Sequence, residues 1–352
     1  MSAFASNSAQ SILAAEIHQQ PDVIANLIQS PIFNTVAEAI RQANPRQVVI
    51  AARGTSDNAA RYAQYLFGIH LGLPVSLAAP SITTMYGKII RYHETLVIGI
   101  SQSGSGPDVN QVVADAADQG ALTIGITNNP DSALGKIAEH CLPLGAGAEK
   151  SVAATKTYTA QLATLATLTA HWANDPAMLT ALTALPEWMR AALTHAEAIT
   201  SRAERFRFMT RCVLLGRGYN YATAFEIALK LQELTYSMAE PYSSADFRHG
   251  PKALIETDFP AIVLAPSGVV YPDMLALIDE IKTRGADLTI ISDQDEALDR
   301  AALPIRLPLG IPEWLSPIVT VIPGQWLAMS VAAAKGLALD APRGLTKVTI
   351  TR

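Results

Sequence analysis

The chain has 352 residues, of which 49% are hydrophobic and 16% charged, and its formal net charge is −5. This composition is typical of a globular protein long enough for two domains, and it excludes a disordered or fibrous chain. The acidic balance without basic clusters argues against nucleic acid as a partner. We therefore expect the main partner to be a small molecule.

The cysteine content and the termini limit the compartment and the cofactors. Cys141 and Cys212 are the two cysteines in the sequence, and no spacing of Cys and His is typical of a metal site. We therefore expect no disulfide framework, no metal and no cofactor. The N-terminus lacks a basic start followed by an apolar core, and no uninterrupted apolar run reaches about 18 residues. These features predict a cytoplasmic protein with no membrane contact.

The first half of the chain alternates predicted helices with short apolar runs. Two helices are predicted over residues 11–44, with residues 16–21 between them and with Pro21 and Pro31 in first-turn positions. Further helices are predicted at residues 59–71 and after residues 149–156, a segment that is expected to open a long helix. Buried strands are predicted at residues 48–52, 74–78, 96–100, 122–127 and 141–144. Such alternation predicts a doubly wound parallel sheet.

One strand-to-helix turn is rich in small polar residues. The apolar run 96–100 stops at a segment that contains Ser101, Gln102, Ser103, Gly104, Ser105 and Gly106. A turn of this kind presents backbone N–H groups and hydroxyls at the positive end of a helix dipole, where a phosphate fits best. An ordinary connection in which Ser or Asp caps the next helix has the same pattern. A similar turn, residues 53–57, follows the strand at 48–52.

The second half of the chain repeats the first. Residues 213–218 resemble residues 50–54, residues 261–268 resemble residues 97–104, and the separations Gly54 to Gly104 and Gly218 to Gly268 are both 50 residues. The repeat predicts two similar, doubly wound, flavodoxin-like α/β domains that arose by internal duplication. We place them at residues 1–195 and 196–352, with a helical connection near 175–205. The facing strand ends are expected to form one site.

The two predicted domains differ in their polar turns. The second copy has Pro266-Ser267-Gly268-Val269-Val270 where the first has Gln102 to Gly106, so it lacks most of the hydroxyls that would hold a phosphate. The anion site is therefore assigned to the first domain.

A predicted helix over residues 223–238 carries a narrow charged stripe. Glu226, Lys230, Glu233 and Ser237 are spaced by four, three and four residues, which places them within about 60° of one another on a helix. A solvated face with a Glu–Lys pair is the ordinary meaning of such a spacing. Apolar residues flank the stripe on both sides, however, which favours a pocket in which the charges perturb one another's protonation.

Two further candidates follow this helix. Residues 242–252 have the composition of a loop, and they carry His249, a residue type whose imidazole can accept and donate a proton and so suits the transfer of a sugar proton. A lone His is more often a structural, hydrogen-bonded residue. Lys347 lies in a predicted terminal strand after a turn, where a Lys is normally solvated.

At these residues the sequence resembles the sugar isomerase (SIS) domain family, and within it the isomerase half of the glutamine–fructose-6-phosphate aminotransferases. The resemblance extends from residues 16–21 to residues 342–347. Its most specific stretches are residues 53–56, 101–104, 153–156, 226–233 and 248–251.

The resemblance implies roles for individual residues. Glu233 would move a proton between C1 and C2 of a sugar phosphate with the assistance of Lys230 and Glu226, His249 would open the sugar ring, and Lys347 would meet the carbonyl carbon as an amine. It also implies a homodimer in which the His249 loop reaches the site of the neighbouring subunit. The residues implied to bind the substrate and its phosphate are Gly54, Thr55, Ser56, Ser101, Gln102, Ser103, Ser105, Val152 and Ala154.

The sequence departs from the family pattern in three places. Gly106 and Ala154 stand where the family usually has Thr and Ser, and Ser105 is expected to compensate for one lost hydroxyl. The resemblance does not extend to a glutaminase domain with its nucleophilic N-terminal Cys. We therefore expect that this chain is not by itself a glutamine-dependent synthase.

The expected activity is the isomerisation of a hexosamine 6-phosphate with loss of ammonia, with glucosamine 6-phosphate giving fructose 6-phosphate. A deglycase of an amino-acid-conjugated sugar phosphate and a plain aldose–ketose phosphosugar isomerase remain alternatives within the same class. A non-catalytic sugar-phosphate sensor is the alternative from another class. The retention of Glu226, Lys230, Glu233, His249 and Lys347 together favours an enzyme.

Overall fold

A computed structural model describes residues 11–347, which form two compact units, each built around one sheet. Of the described residues, the first-sheet unit contains Asp22–Glu149, Lys156–Ala184 and residues 346–347, and the second-sheet unit contains residues 11–21, Lys150–Thr155 and Leu185–Leu345. Both units are therefore discontinuous in sequence. The domain boundary at residue 195 stays a prediction.

The first sheet contains five parallel strands. These are β1 (Gln47–Ala51), β2 (Val75–Leu77), β3 (Thr95–Ile100), β4 (Thr123–Thr127) and β5 (His140–Pro143), in the spatial order β2-β1-β3-β4-β5. All six residues of β3 and all five of β4 are buried, which explains why these strands are apolar runs without alternation.

The second sheet repeats this order. Its parallel strands are β6 (Arg211–Gly216), β7 (Met238–Ser243), β8 (Pro260–Leu264), β9 (Asp287–Ser292) and β10 (Leu303–Arg306), and the spatial order is β10-β9-β8-β6-β7. Counted from the first strand of each sheet, both sheets have the order 2-1-3-4-5. The predicted duplication and doubly wound fold are confirmed.

Helices connect the strands in both halves. The helices up to the second sheet are α1 (Ile12–Leu27), α2 (Ile32–Ala43), α3 (Thr55–Leu71), α4 (Ser81–Thr84), α5 (Pro107–Ala117), α6 (Ala133–Ile137), α7 (Lys156–Ala173), α8 (Pro176–Leu193) and α9 (Ala196–Arg202). The later helices are α10 (Asn220–Thr235), α11 (Ser244–Arg248), α12 (Tyr271–Thr283), α13 (Asp295–Leu298) and α14 (Ser316–Ala334). Short 3₁₀ turns cover Ala203–Phe206, Pro251–Leu254 and Glu313–Leu315. The predicted terminal strand after Lys347 lies outside the described residues.

The prediction that residues 16–21 separate two helices was wrong. Pro21 lies inside α1, where it has no N–H to donate to the carbonyl of Ile17. The side-chain amide of Gln20 donates to that carbonyl at 2.9 Å. A neighbouring side chain thus replaces the missing backbone hydrogen bond, and the helix continues through the proline.

The helix α14 is a core element of the second-sheet unit. Within the described part of the chain, the segment Glu313–Ala334 is long and apolar enough to cross a membrane, with a mean hydropathy of 1.4. Its most apolar window is 94% buried inside the fold. Burial of this extent is what the central helix of a globular domain shows.

The contact between α14 and α10 predicts opposite effects for two glycine substitutions. A Cβ at Gly324 of α14 would lie 2.2 Å from Cδ1 of the fully buried Ile227 of α10, whereas a Cβ at the exposed Gly68 of α3 would come no closer than 3.9 Å to the carbonyl oxygen of Leu73. We expect Gly324→Ala to destabilise the fold by about 1–3 kcal/mol through overpacking. Gly68→Ala should stabilise it by about 0.5–1 kcal/mol through helix propensity.

Urea unfolding of both variants and the wild type measures these changes. An equal stabilisation by the two substitutions would show that α14 does not pack closely against α10.

Candidate active site

The polar turn of the first sheet, residues 101–106, runs from the carboxyl end of β3 to the start of α5. Gly104 has a φ of 65°, and a Cβ there would lie 1.9 Å from Oγ of Ser132, so this position requires glycine. The N–H of Gly104 donates to the carbonyl of Ser101 at 3.2 Å and to its Oγ at 3.1 Å. These contacts hold the turn in a defined shape before any ligand binds.

Donors in this turn are available to an anion. Within residues 11–347, the N–H groups of Gln102 and Ser103 make no hydrogen bond. The hydroxyls of Ser103 and Ser105 lie 2.8 Å apart, and α5 begins directly after Gly106. The turn therefore presents N–H groups, hydroxyls and a helix N-terminus together, as a phosphate requires.

The second turn of this unit, residues 53–57, follows the adjacent strand β1. Gly54, with a φ of 54°, precedes α3, which begins at Thr55. The hydroxyl of the buried Ser56 accepts a hydrogen bond from Nε2 of Gln161 at 2.9 Å. Because β1 and β3 pair in parallel, their carboxyl ends lie at the same edge of the sheet.

An ion pair joins these two turns. Nε of Arg53 lies 2.7 Å from Oδ2 of the buried Asp108, which is in the first turn of α5. The sequence reading did not identify Asp108. The sequence feature that could have predicted this contact is Arg53, an arginine directly before Gly54 at the end of a buried strand.

The corresponding turn of the second sheet is occupied by carboxylates of the protein. Asp293 accepts hydrogen bonds from the N–H of Ser267 at 2.7 Å and from its hydroxyl at 2.6 Å. Glu313 accepts from the N–H of Val269 at 2.8 Å and from the N–H of Val270 at 3.5 Å. These donors already have negatively charged partners, which supports the assignment of the phosphate to the first turn.

A buried ammonium between two carboxylates defines the charged face of α10. Nζ of Lys230 lies 2.6 Å from Oε2 of Glu233 and 3.4 Å from Oε1 of Glu226. The side chains of Glu226 and Lys230 are 0% and 1% exposed, and that of Glu233 is 21% exposed. Of these three groups, Glu233 is thus the one that is accessible from outside, and Lys230 contacts it directly.

The fourth residue of the predicted stripe is not on the helix. Tyr236 adopts the left-handed conformation with a φ of 57° and ends α10 at Thr235. Ser237 is therefore turned away from the stripe, and its hydroxyl donates to the carbonyl of Met209 at 3.0 Å.

The prediction of a loop over residues 242–252 was wrong in part. Residues up to Ser243 belong to β7, and α11 spans Ser244–Arg248 before His249. Oγ of Ser243 caps α11 by accepting from the N–H of Asp246 at 3.1 Å. His249 follows the helix and is exposed, so its imidazole is accessible to a ligand.

A charged network anchors α11. Arg248 contacts Asp273 at 2.7 Å and Glu280 at 3.4 Å, and Ser244 donates to Asp273. Burial raises the pKa of Asp273, but hydrogen bonds from Ser244 and Arg248 outweigh burial and hold that pKa below its ordinary value. Asp273 therefore remains a carboxylate at neutral pH and fixes the helix that carries His249.

Lys347 lies within the first-sheet unit. Its Nζ is 2.6 Å from Oε2 of the buried Glu149, which also accepts from the hydroxyl of Thr157 at 2.8 Å and from its N–H at 3.1 Å. The sequence placed Glu149 in the segment 149–156 that was expected to open a long helix, but α7 begins only at Lys156. This ion pair is the observation that separates Lys347 from an ordinary solvated lysine.

The structure distributes the candidate residues between the two units. The phosphate turn residues and Lys347 belong to the first-sheet unit, whereas Val152, Ala154, the charged face of α10 and His249 belong to the second-sheet unit. Within the described ranges, no group of three or more His, Cys, Asp or Glu side chains has the arrangement of a metal site.

Two serine substitutions test the assignment of the phosphate. Loss of a charge-assisted hydrogen bond costs about 1.5–3 kcal/mol, so Ser103→Ala should weaken the binding of glucosamine 6-phosphate by roughly ten- to a hundredfold. Ser267→Ala is the matched control, because Ser267 is already bonded to Asp293. Calorimetry gives both affinities. An equal loss in the two variants would contradict the assignment to the first turn.

Comparisons with known proteins identify the family. A model described as the SIS domain matches residues 40–170 and 209–335, which contain β1–β5 and β6–β10 respectively. A glutamine–fructose-6-phosphate aminotransferase (isomerizing) from Gloeobacter violaceus is 36% identical over 356 residues, covering 94% of this chain and 57% of the relative. The chain thus spans little more than half the length of the curated relatives that it matches.

Solved structures agree. The C-terminal domain of glucosamine-fructose-6-phosphate aminotransferase from Francisella tularensis superposes with a TM-score of 0.87 at 27% identity, over 95% of this chain and 98% of that domain. A glucosamine-6-phosphate deaminase from Thermotoga maritima shares the fold with a TM-score of 0.77 at 21% identity, over 97% of this chain and 100% of that one. The resemblance to the isomerase half of the aminotransferases is confirmed, and the chain belongs to the SIS domain family.

Proposed function

We propose that the chain converts glucosamine 6-phosphate and water into fructose 6-phosphate and ammonia. The observation that carries this proposal is the triad on α10, in which the partly exposed Glu233 is oriented by the buried Lys230. A carboxylate that takes up a proton and returns it is what an aldose–ketose isomerisation requires. A protein that only binds sugar phosphates needs no such group.

Phosphate recognition in this proposal uses the first polar turn. The N–H groups of Gln102 and Ser103 and the hydroxyls of Ser101, Ser103 and Ser105 hold the dianion, together with the start of α5. The turn after β1, with Gly54, Thr55 and Ser56, contributes to the same phosphate. Because these donors are neutral, recognition of the phosphate depends more on its geometry than on its charge.

The proton transfers proceed in three steps. His249 moves a proton to open the sugar ring and expose the C1 aldehyde. Glu233 then removes the proton from C2 and delivers a proton to C1, while the C1 oxygen gains a proton and the nitrogen loses one. The C2 amine thereby becomes an imine, and C1 becomes a CH2OH group. Water adds to this imine, the C–N bond breaks, and the ketone and ammonia leave. Lys230 and Glu226 keep Glu233 in position and balance its charge as it gains and loses the proton.

Lys347 is proposed to meet the carbonyl carbon as an amine: its neutral nitrogen bonds to that carbon, the carbonyl oxygen leaves as water when the imine forms, and water later reverses the step and frees the amine. An amine is nucleophilic only when neutral, so the ammonium of Lys347 must first lose a proton. Glu149, at 2.6 Å, is the adjacent acceptor for that proton.

The proposed release of ammonia needs only the residues described above and water. Contacts from Val152 and Ala154 to the sugar complete the proposed substrate site, and Ala154 leaves more room than the serine usual in the family.

The substitution Glu233→Gln tests the proposal. It removes the transferring base but keeps the shape of the side chain, so ammonia release from glucosamine 6-phosphate should fall by about 10²–10⁴-fold. The affinity for the sugar phosphate should stay within about threefold of the wild-type value, because the base acts in the proton transfer and contributes little to substrate binding. An enzyme-coupled ammonia assay and calorimetry give the two values, with the exposed Glu240→Gln as the matched control.

Other outcomes decide between the alternatives. Interconversion of hexose 6-phosphates without ammonia would identify a plain isomerase, and turnover of an amino-acid-conjugated sugar phosphate alone would identify a deglycase. Unchanged behaviour of Glu233→Gln in a chain that binds but never converts sugar phosphates would identify a sensor.

We further propose that the chain acts as a homodimer in which His249 serves the neighbouring subunit. Inactive Glu233→Gln and His249→Ala proteins should then regain about a quarter of the wild-type activity after they exchange subunits, because half of the dimers are mixed and each has one intact site. Light scattering gives the oligomeric state. No recovery in proteins shown to have exchanged would place His249 in the site of its own subunit.

A further inference from the structure

The segment Lys150–Thr155 contains no helix or strand, and its backbone is held by side chains from distant parts of the sequence. The carboxylate of Glu16, on α1, accepts from the N–H of Lys150 at 2.5 Å and from the N–H of Ser151 at 3.2 Å. Glu16 is 3% exposed. A buried carboxylate with two backbone donors is a strong, charge-assisted contact.

Asp340 holds the middle of this segment. Its carbonyl accepts from the N–H of Val152 at 3.1 Å. Its side chain accepts from the N–H groups of Leu13 at 2.9 Å and Ile12 at 3.2 Å, which are the first donors of α1. The same residue thus caps α1 and fixes the segment beside it.

Gln20 acts on the C-terminal end of the segment through Gln325. Its Nε2 lies 2.9 Å from Oε1 of Gln325, and Nε2 of Gln325 lies 3.5 Å from the carbonyl of Thr155. Glu16, Asp340 and Gln20 therefore act at the beginning, middle and end of the segment. We call these three residues the backbone clamp.

The backbone clamp holds a segment that the proposed function places next to the sugar. Segments without regular structure need partners for their backbone groups. Three successive N–H groups are satisfied here: the carboxylate of Glu16 accepts from Lys150 and Ser151, and the backbone carbonyl of Asp340 accepts from Val152. The segment carries Val152 and Ala154, which the proposed function places against the sugar. Residues 16–21 were among the stretches that resembled the family, yet none of the catalytic steps uses them.

We propose that Glu16 and Asp340 are positioning residues that hold the backbone of Lys150–Thr155 in the shape that binds the sugar part of the substrate. This inference rests on the proposed function for the identity of the ligand. It predicts that weakening the clamp reduces sugar recognition while phosphate recognition by residues 101–106 is retained.

The substitution Glu16→Gln tests the clamp, because an amide accepts one N–H but turns its own donors toward the other. Amide exchange at Lys150 and Ser151 should become about tenfold faster. Affinity for glucosamine 6-phosphate should fall by about five- to fiftyfold, whereas affinity for inorganic phosphate should stay within about twofold. Glu16→Asp, which keeps the charge but is shorter, should show a smaller effect in the same direction. The exposed Glu38→Gln on α2 is the matched control.

Each result has a separate meaning. Unchanged exchange at Lys150 and Ser151 would overturn the clamp, and so would equal losses of glucosamine 6-phosphate and inorganic phosphate affinity, since those would indicate general disruption. A wild-type chain that binds inorganic phosphate but no hexose 6-phosphate would instead contradict the proposed function, and the exchange experiment would still decide whether the clamp holds the segment.

Discussion

The ammonium of Lys230 is buried on α10, and the proposed chemistry depends on the two carboxylates that compensate its charge. A buried lysine is costly unless it is paired, and removal of one partner from such a pair typically costs about 3–5 kcal/mol. Nζ of Lys230 has two carboxyl partners, Glu226 at 3.4 Å and Glu233 at 2.6 Å. A triad of this composition can therefore take up a proton at Glu233 without leaving the ammonium unpaired.

This arrangement requires a rigid helix, and both ends of α10 are fixed. Near its start, Nδ2 of Asn220 donates to the hydroxyl of Ser316 at 2.7 Å. At its end, Nζ of Lys335 donates to the carbonyl of Thr235 at 3.3 Å and to the hydroxyl of Ser237 at 2.8 Å, and burial lowers the pKa of Lys335. Between these points Gly324 allows close packing against Ile227. Ser237 is therefore not part of the charged stripe, and it helps to anchor the end of α10 instead.

The two sheets are related by duplication, but their polar turns differ. Both sheets have the same strand order, and each has a turn before a helix N-terminus that could hold an anion. In the second sheet Asp293 and Glu313 accept hydrogen bonds from that turn. In the first sheet the corresponding turn has hydroxyls and, within residues 11–347, N–H groups that make no hydrogen bond. The two repeats thus differ in whether these donors already have partners inside the protein.

The strands, the duplication and the charged triad could be predicted from the sequence because apolar runs and helical spacing are local patterns. The errors at Pro21 and at residues 242–248 have a common physical origin, because in both a side chain changed the outcome: Gln20 replaced a missing donor, and Ser243 capped a short helix. At Tyr236 the backbone itself adopts a left-handed conformation that ends the helix. Asp108 and Glu149 were missed because their partners lie far away in the sequence.

The central claim is that Glu233 exchanges a proton with the C1 and C2 positions of a bound hexose phosphate. Incubation of the wild-type chain with fructose 6-phosphate or glucosamine 6-phosphate in D₂O, followed by NMR, measures this step apart from the fate of the amine. The account predicts deuterium at C1 or C2 with the wild type and almost none with Glu233→Gln. No deuterium in either sugar phosphate, under conditions in which calorimetry shows it to be bound, would contradict the account.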